Sequence, residues 1–265
     1  MIEVSDLSIL LVEPSTSQNK AIVKQLMQAG ITRIETTSTG SETLLLLDKY
    51  IPDLIISSMY LADMTATELI TKIRETDTFD SLPFMLVSSA TKFSELNPIR
   101  QAGVVAILPK PFNHDDLKRA LQTTLEYIDP EEIQLEHYDI ESLRVLIVDD
   151  SALARKHITK TLNNMGIRLI TTACDGHDAI DKFKIAGESF DLLVTDYNMP
   201  EMDGRELIEY IRSELNNTFI PILMVTSENN EARLNNIQQA GVSAICDKPF
   251  DPEHVKEILF KILEG

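Results

Sequence analysis

Five side chains in the C-terminal half of the chain share one placement: each stands at or just beyond the end of a short apolar run. VLIVDD carries Asp149 and Asp150, LLVTD carries Asp196, ILMVT carries Thr226 and AICDK carries Lys248. Runs of that length read as strands of a buried parallel sheet, and in such a sheet chemistry collects at the carboxyl ends of the strands. Residues far apart in the chain therefore meet on one edge. Three carboxylates gathered there repel one another unless a cation lies among them, and hard oxygen donors suit Mg²⁺, which one or two carboxylates commonly hold with phosphate and water. Lys248 adds an ammonium and Thr226 a hydroxyl, groups suited to the remaining oxygens of a phosphoryl group. Pro249 biases Lys248 toward extended backbone and so helps aim it.

The elements that must hold these residues alternate in type. Strands are expected over 145–148, 169–172, 192–195, 220–225 and 244–246, and helices over 152–165, 177–186, 204–215, 230–240 and 252–263. Asp251 as N-cap and Pro252 at the first helical position mark the start of the last helix. Gly166 and Gly241 each follow a helix where a left-handed C-cap is expected. The alternation predicts an α/β fold with a parallel sheet covered by helices on both faces.

The same pattern is written twice. SILLVEPS at Ser8 lies over RVLIVDDS at Arg144 at an offset of 136, while DLIISSMYLADM at Asp53 and QAGVVAILPKPF at Gln101 lie over their counterparts at Asp191 and Gln239 at an offset of 138. A two-residue insertion thus falls between Gly166 and Asp196. The repeat far exceeds the ~20–50 residues of solenoid units, so whole domains are in tandem. The 265 residues divide into a first domain over 1–128, an acidic linker over 129–141 and a second domain over 142–265. The linker holds six acidic residues and no Lys or Arg, with Ile133, Leu135 and Tyr138 as its apolar members.

Charge and composition exclude several functions. The formal net charge of −18 repels nucleic-acid phosphates and anionic lipid surfaces, so no nucleic acid and no membrane is expected as a partner. No apolar run reaches the ~18 residues that span a bilayer, and the start has no basic segment of a signal peptide, which predicts a cytoplasmic protein. LLLLDKY at 44–50 reads instead as a core-facing helix. Cys174 and Cys246 form no CxxC pair and are expected as buried thiols. His157 and His177 have no metal-spaced neighbours and are expected to be solvated or partly packed.

In its motifs, VDDS at 148–151, TDYNMPEMDG at 195–204, MVTSE at 224–228 and DKPF at 247–250, the second copy resembles the receiver domain of two-component response regulators, the family that includes the chemotaxis receiver. The resemblance implies two flavodoxin-like (βα)5 domains with sheet order 2-1-3-4-5. It implies that Asp196 accepts a phosphoryl group from a histidine kinase or histidine phosphotransfer protein. Asp150 and Asp196 would bind Mg²⁺ with the Asn198 main-chain carbonyl, and Asp149 would act through water or metal positioning. Lys248 would pair with a phosphoryl oxygen and Thr226 would move inward to hydrogen-bond it. Asn198 and Glu228 would tune dephosphorylation, giving a fairly short-lived phosphoryl state, and Gly204 matches the glycine of the loop that precedes or opens the third helix. One position departs from the family: three residues before the lysine, where an aromatic is usual, stand Ile245 and, in the first copy, Ile107. Both are expected as plain buried strand residues.

The first copy has Glu13 and Pro14 at the acidic pair, Ser58 at the acceptor position and Ser88 at the threonine, keeping only Lys110. A serine hydroxyl is neutral near pH 7 and does not hold a metal as a carboxylate does, and the sequence identifies no base beside it. The first copy is therefore expected to be a folded pseudo-receiver that serves binding or dimer contact; a homodimer is among the expected assemblies.

Competing functions fail on motif. A haloacid dehalogenase phosphatase needs DxD after its first strand, whereas Asp149 and Asp150 are adjacent; no glycine arrangement forms GxGxxG or GxxxxGK[ST]. The expected function is a response regulator that is not an enzyme beyond its own phosphorylation and dephosphorylation. With no output domain expected after the last helix, it would signal to a downstream protein target; the alternative is a phosphate sink that drains a shared kinase.

Overall fold

Successive side chains on a strand point to opposite faces, so a strand covered on both sides must be apolar throughout. The computed structural model, which describes residues 3–79, 81–129, 139–185, 190–215, 217–227 and 241–264, follows that rule in two compact units, Met1–Pro130 and Glu131–Gly265. The first unit runs β1 (Ser8–Val12), α1 (Thr16–Gln28), β2 (Arg33–Thr37), α2 (Gly40–Leu47), β3 (Leu54–Ser58), α3 (Ala66–Arg74), β4 (Phe84–Ser88), α4 (Phe93–Gln101), β5 (Ala106–Pro109) and α5 (His114–Ile128). The second runs β6 (Arg144–Val148), α6 (Ala152–Asn164), β7 (Leu169–Ala173), α7 (Gly176–Ile185), β8 (Leu192–Asp196), α8 (Gly204–Ser213), β9 (Ile222–Thr226), β10 (Ala244–Asp247) and α9 (Pro252–Glu264). Each sheet is five-stranded and parallel, ordered β2-β1-β3-β4-β5 and β7-β6-β8-β9-β10, the flavodoxin-like order 2-1-3-4-5.

The two faces of the second sheet are filled from alternate positions. Val145 and Ile147 pack with Ile158 and Leu162 of α6 and Val255 and Leu259 of α9. Leu146 and Val148, one residue out of step, pack with Phe183 of α7 and Leu207 and Ile211 of α8. β8 and β9 are buried at every position, while β7 at the edge is mostly exposed or half-buried, as the polar residues of its sequence LITTA require.

Helix starts follow local chemistry. Ser151 caps α6 by accepting from Ala154 N, Asp203 and Glu206 form a reciprocal capping box on α8, and Asp251 accepts from His254 N at 3.1 Å ahead of Pro252. Gly166 takes the left-handed φ of +104° after α6, and Gly241 has φ +92°. α7 runs ten residues against eight in α2, within the stretch where the sequence places the two-residue insertion.

At the amino edge of each sheet a repeated aspartate does structural work. Asp53 accepts from Ser8 N at 2.7 Å and from the Ser8 hydroxyl, and Asp191 holds Arg144 in a bidentate pair at 2.9 and 3.0 Å. These acids join strands one and three at the edge opposite Asp149 and Asp196.

Three expectations are corrected. Cys246 is buried, which pushes its thiol up to about 12, but Cys174 is exposed: it follows the last residue of edge strand β7, where only one side of the chain is covered. In the LLLL run only Leu47 is buried and Leu45 points outward, because a helix turns most of a continuous apolar run away from a single contact face. Ile107 and Ile245 are half-buried rather than buried, since their strands lie at the sheet edges. His157 is buried and His177 exposed. The helix expected over 230–240, Glu228, and linker residues Ile133, Leu135 and Tyr138 lie outside the described residues. No helix among the described residues is long and apolar enough to cross a membrane.

Phe183, fully buried on α7, meets Phe190 edge to face with ring centroids 5.0 Å apart. Phe183→Ala is expected to cost the second unit about 3–5 kcal/mol in urea unfolding while leaving the first unit's transition in place.

Candidate functional site

The carboxyl edge of the second sheet gathers the residues that the sequence singles out. Asp149 follows β6, Asp196 ends β8, Thr226 ends β9 and Lys248 follows β10; all four are buried, while Asp150 is exposed beside them. Lys248 Nζ donates to Asp149 Oδ2 at 2.7 Å and lies 3.0 Å from Asp196 Oδ2, so one ammonium ties together two carboxylates from neighbouring strands. Lys248 N also donates to Thr226 O at 2.9 Å, which sets where the lysine leaves its strand. Ser151 N donates to Asp149 Oδ1 and Tyr197 N to Asp196 Oδ1, each at 2.8 Å.

Charge balance is strained by design of the residue set: three carboxylates face one ammonium. Burial pushes the Asp149 carboxyl up, to about 6; the Lys248 ammonium pulls the other way and the nearby Asp196 carboxylate adds to the rise. Burial acts to lower Lys248, but the two carboxylates outweigh it and hold its ammonium above the usual range. Ligand oxygens of Asp149, Asp150 and Asp196 all lie within 4.8 Å of one another, and Asp196 Oδ2 accepts no hydrogen bond of ordinary geometry despite being buried. A hard divalent cation fits this donor set, since it would neutralise the excess charge and satisfy that oxygen. Among the described residues it is the one such cluster of three acids.

Beyond Asp196 the chain turns sharply. Gly204 N donates to Tyr197 O at 2.9 Å, and a Cβ on Gly204 would stand 2.2 Å from the Asp196 carbonyl oxygen, so glycine is required where α8 begins. Asn198 lies in this loop with its side chain exposed. A residue that the sequence reading does not single out also reaches the site: Arg155 on α6 donates from one guanidinium nitrogen to Asp149 O at 2.6 Å and Asp150 O at 3.2 Å. The available signal was its position one turn into the helix that follows the acidic pair.

The corresponding edge of the first unit is built differently. Ser58 Oγ donates to Glu13 Oε2, to which Lys110 Nζ also donates at 3.1 Å; Lys110 lies 3.3 Å from Ser58 Oγ and bonds Gln18 Oε1. This corrects the expectation that Ser58 has no base beside it: β1 and β3 are sheet neighbours, which brings together residues 45 positions apart. Burial acts to raise the Glu13 carboxyl, but the hydrogen bonds from Ser58, Ser15 and Lys110 hold it below the usual range, so it is a weak base. One carboxylate and one ammonium balance here. Tyr60, Ser88 and Ser89 join them around a cleft of about 190 Å³.

The model of the response regulator receiver domain matches residues 9–122 and again 145–260. The chemotaxis protein CheY1 of Helicobacter pylori is 37% identical over 121 residues, covering 46% of this chain and 97% of that protein. A CheY homologue of Campylobacter jejuni is 38% identical over 121 residues, 46% of this chain and 92% of its own. Among solved structures, the chemotaxis protein CheY4 of Vibrio cholerae is 34% identical over 45% of this chain and 98% of its own, with a TM-score of 0.42.

The raised Asp149 carboxyl sets a pH signature. Its folded value exceeds the unfolded one, so between about 4 and about 6 the native state binds the extra proton and metal-free stability falls as pH rises. Asp149→Asn is expected to stabilise the metal-free second unit at pH 8, by on the order of 1–3 kcal/mol, with the gain shrinking as pH falls through about 6. Urea titrations at pH 8 and pH 5 measure it.

Proposed function

Because this chain belongs, in both halves, to the response regulator receiver family, we propose that its second domain is phosphorylated on Asp196 and reports that event through protein contacts. The observation that carries the reading is the buried Lys248 ammonium held between Asp149 and Asp196, where ligand oxygens of Asp149, Asp150 and Asp196 lie within 4.8 Å of one another.

Phosphoryl transfer needs little covalent machinery and much charge placement. A carboxylate oxygen of Asp196 forms the new O–P bond as the bond from phosphorus to its donor breaks; the donor, a phosphohistidine imidazole or the acetate of acetyl phosphate, leaves with the electron pair. Lys248, already 3.0 Å from Asp196 Oδ2, pairs with a phosphoryl oxygen. Thr226 supplies a hydroxyl at the end of the adjacent strand β9. Asp150, Asp196 and the Asn198 main-chain carbonyl would hold Mg²⁺, with Asp149 positioning it; the ion's role is to offset negative charge that develops on the phosphoryl oxygens. Asn198 and Glu228 would orient the water that later cleaves the ester. The new dianion must draw Lys248 and Thr226 toward it, which biases the surface around β9 and β10. The partners are accordingly a histidine kinase or histidine phosphotransfer protein upstream and a protein target downstream, in the cytoplasm.

For the first domain, with Ser58 in the acceptor place and Glu13 neutralised by Lys110, we propose a pseudo-receiver that folds without metal and takes no phosphoryl group.

Incubation with acetyl phosphate and Mg²⁺ is expected to add one phosphoryl group to the intact chain, mapped by mass spectrometry to Asp196 and absent from Asp196→Asn. No gain in mass, or a gain that survives that substitution, refutes the assignment. Asn198→Ala is expected to lengthen the lifetime of the ester; an unchanged decay removes Asn198 from the tuning role.

A further inference from the structure

We infer that Arg155 is the positioning residue of the second domain's cation site, acting through the backbone of the loop that presents Asp149 and Asp150 rather than through their carboxylates. The inference rests on the metal site proposed above.

The two acids sit on a two-residue step between the end of β6 at Val148 and the N-cap Ser151, and only part of that step is otherwise anchored. Asp149 is buried and its carboxylate is held by Ser151 N and Lys248. Asp150 is exposed, and its side chain must turn inward over the cluster to contribute an oxygen. The direction of that side chain follows from the two peptide planes flanking it. Arg155 Nη1 bonds the carbonyls of both residues, 2.6 Å from Asp149 O and 3.2 Å from Asp150 O, so one planar donor group fixes both planes at once.

The first unit, which has no acid to present at the place of Asp150, has no arginine at the place of Arg155 either. Its matching loop carries Pro14 in place of Asp150, whose ring fixes φ directly, and Asn19 stands where the second unit has Arg155. A ligand position occupied by aspartate forfeits that ring, and the restraint has to come from outside the loop.

Positioning and plain electrostatics predict opposite signs, which makes the inference decidable. A cation beside a cation site repels the incoming ion, so if charge were all that mattered, removing Arg155 would tighten Mg²⁺ binding. If Arg155 holds the loop, removing it weakens binding, as loss of outer-shell partners does.

The test is Mg²⁺ binding to the unphosphorylated full chain by calorimetry, with Mn²⁺ binding by electron paramagnetic resonance as a second readout. Arg155→Ala is expected to bind about tenfold more weakly than wild type, and Arg155→Lys, which keeps a donor able to reach one carbonyl, to recover part of the loss. At saturating Mg²⁺ the rate of phosphorylation by acetyl phosphate is expected to return toward the wild-type value, since the acceptor Asp196 is untouched. Affinity equal to or tighter than wild type in Arg155→Ala overturns the inference while leaving the metal site standing. If the alanine variant proves too unstable to titrate, Arg155→Gln decides in the same way: weaker binding supports positioning, equal or tighter binding overturns it. Failure of the wild-type chain to bind Mg²⁺ overturns the site and this inference with it.

Discussion

The second domain depends on burying one ammonium among carboxylates that would otherwise repel. Lys248 reaches Asp149 across 99 positions of sequence and Asp196 across the sheet, and the ion pairs are inside the protein, where charge interactions are strong and unpaired charge is costly. Parallel strands in the order 2-1-3-4-5 make this contact: β6 and β8 are central neighbours, and β10 enters from the edge with its carboxyl end on the same side. The arrangement still leaves more negative than positive charge, a donor set that a hard divalent cation fits.

The two units apply one frame to opposite electrostatic ends. In the first, Glu13, Lys110 and Ser58 form a closed, charge-balanced set with their hydrogen bonds made internally. In the second, three acids face one lysine, and burial together with the Asp196 carboxylate leaves Asp149 with a raised pKa. Glu13 is held below its ordinary value and Asp149 above, although they occupy the same place at the end of the first strand. Burial raises both: at Glu13 the hydrogen bonds from Ser58, Ser15 and Lys110 outweigh it, whereas at Asp149 burial, with the Asp196 carboxylate adding to it, outweighs the pull of Lys248.

Rigid backbone makes this chemistry addressable. Gly204 lets α8 start against the Asp196 carbonyl, where any side chain would collide. Arg212 binds the carbonyls of Asn217, Ile220 and Gly241 on the far side of the sheet, and Arg74 does the same for Phe79 in the first unit. Arginines thus fasten loops through carbonyl oxygens in both domains, and Arg155 extends that usage to the edge where the acids stand.

Much was legible in the sequence because it is written in short-range pattern. Short apolar runs named the central strands, Asp251 ahead of Pro252 named the start of the last helix, and the rule that chemistry sits at carboxyl strand ends assembled Asp149, Asp150, Asp196, Thr226 and Lys248. The α/β class with a parallel sheet followed from periodicity, while the strand order 2-1-3-4-5 was implied by the family resemblance. Tertiary structure decided what depends on reach between strands: that Lys248 touches Asp149 and Asp196 together, that Ser58 finds Glu13, and that Arg155 bends back onto two carbonyls. It also decided exposure at edges, leaving Cys174 outside and Ile245 half-covered. Periodicity reports which face of an element a residue occupies, whereas a side-chain contact between strands is settled by register, rotamer and the elements packed above it, none of which is encoded within a few residues of either partner.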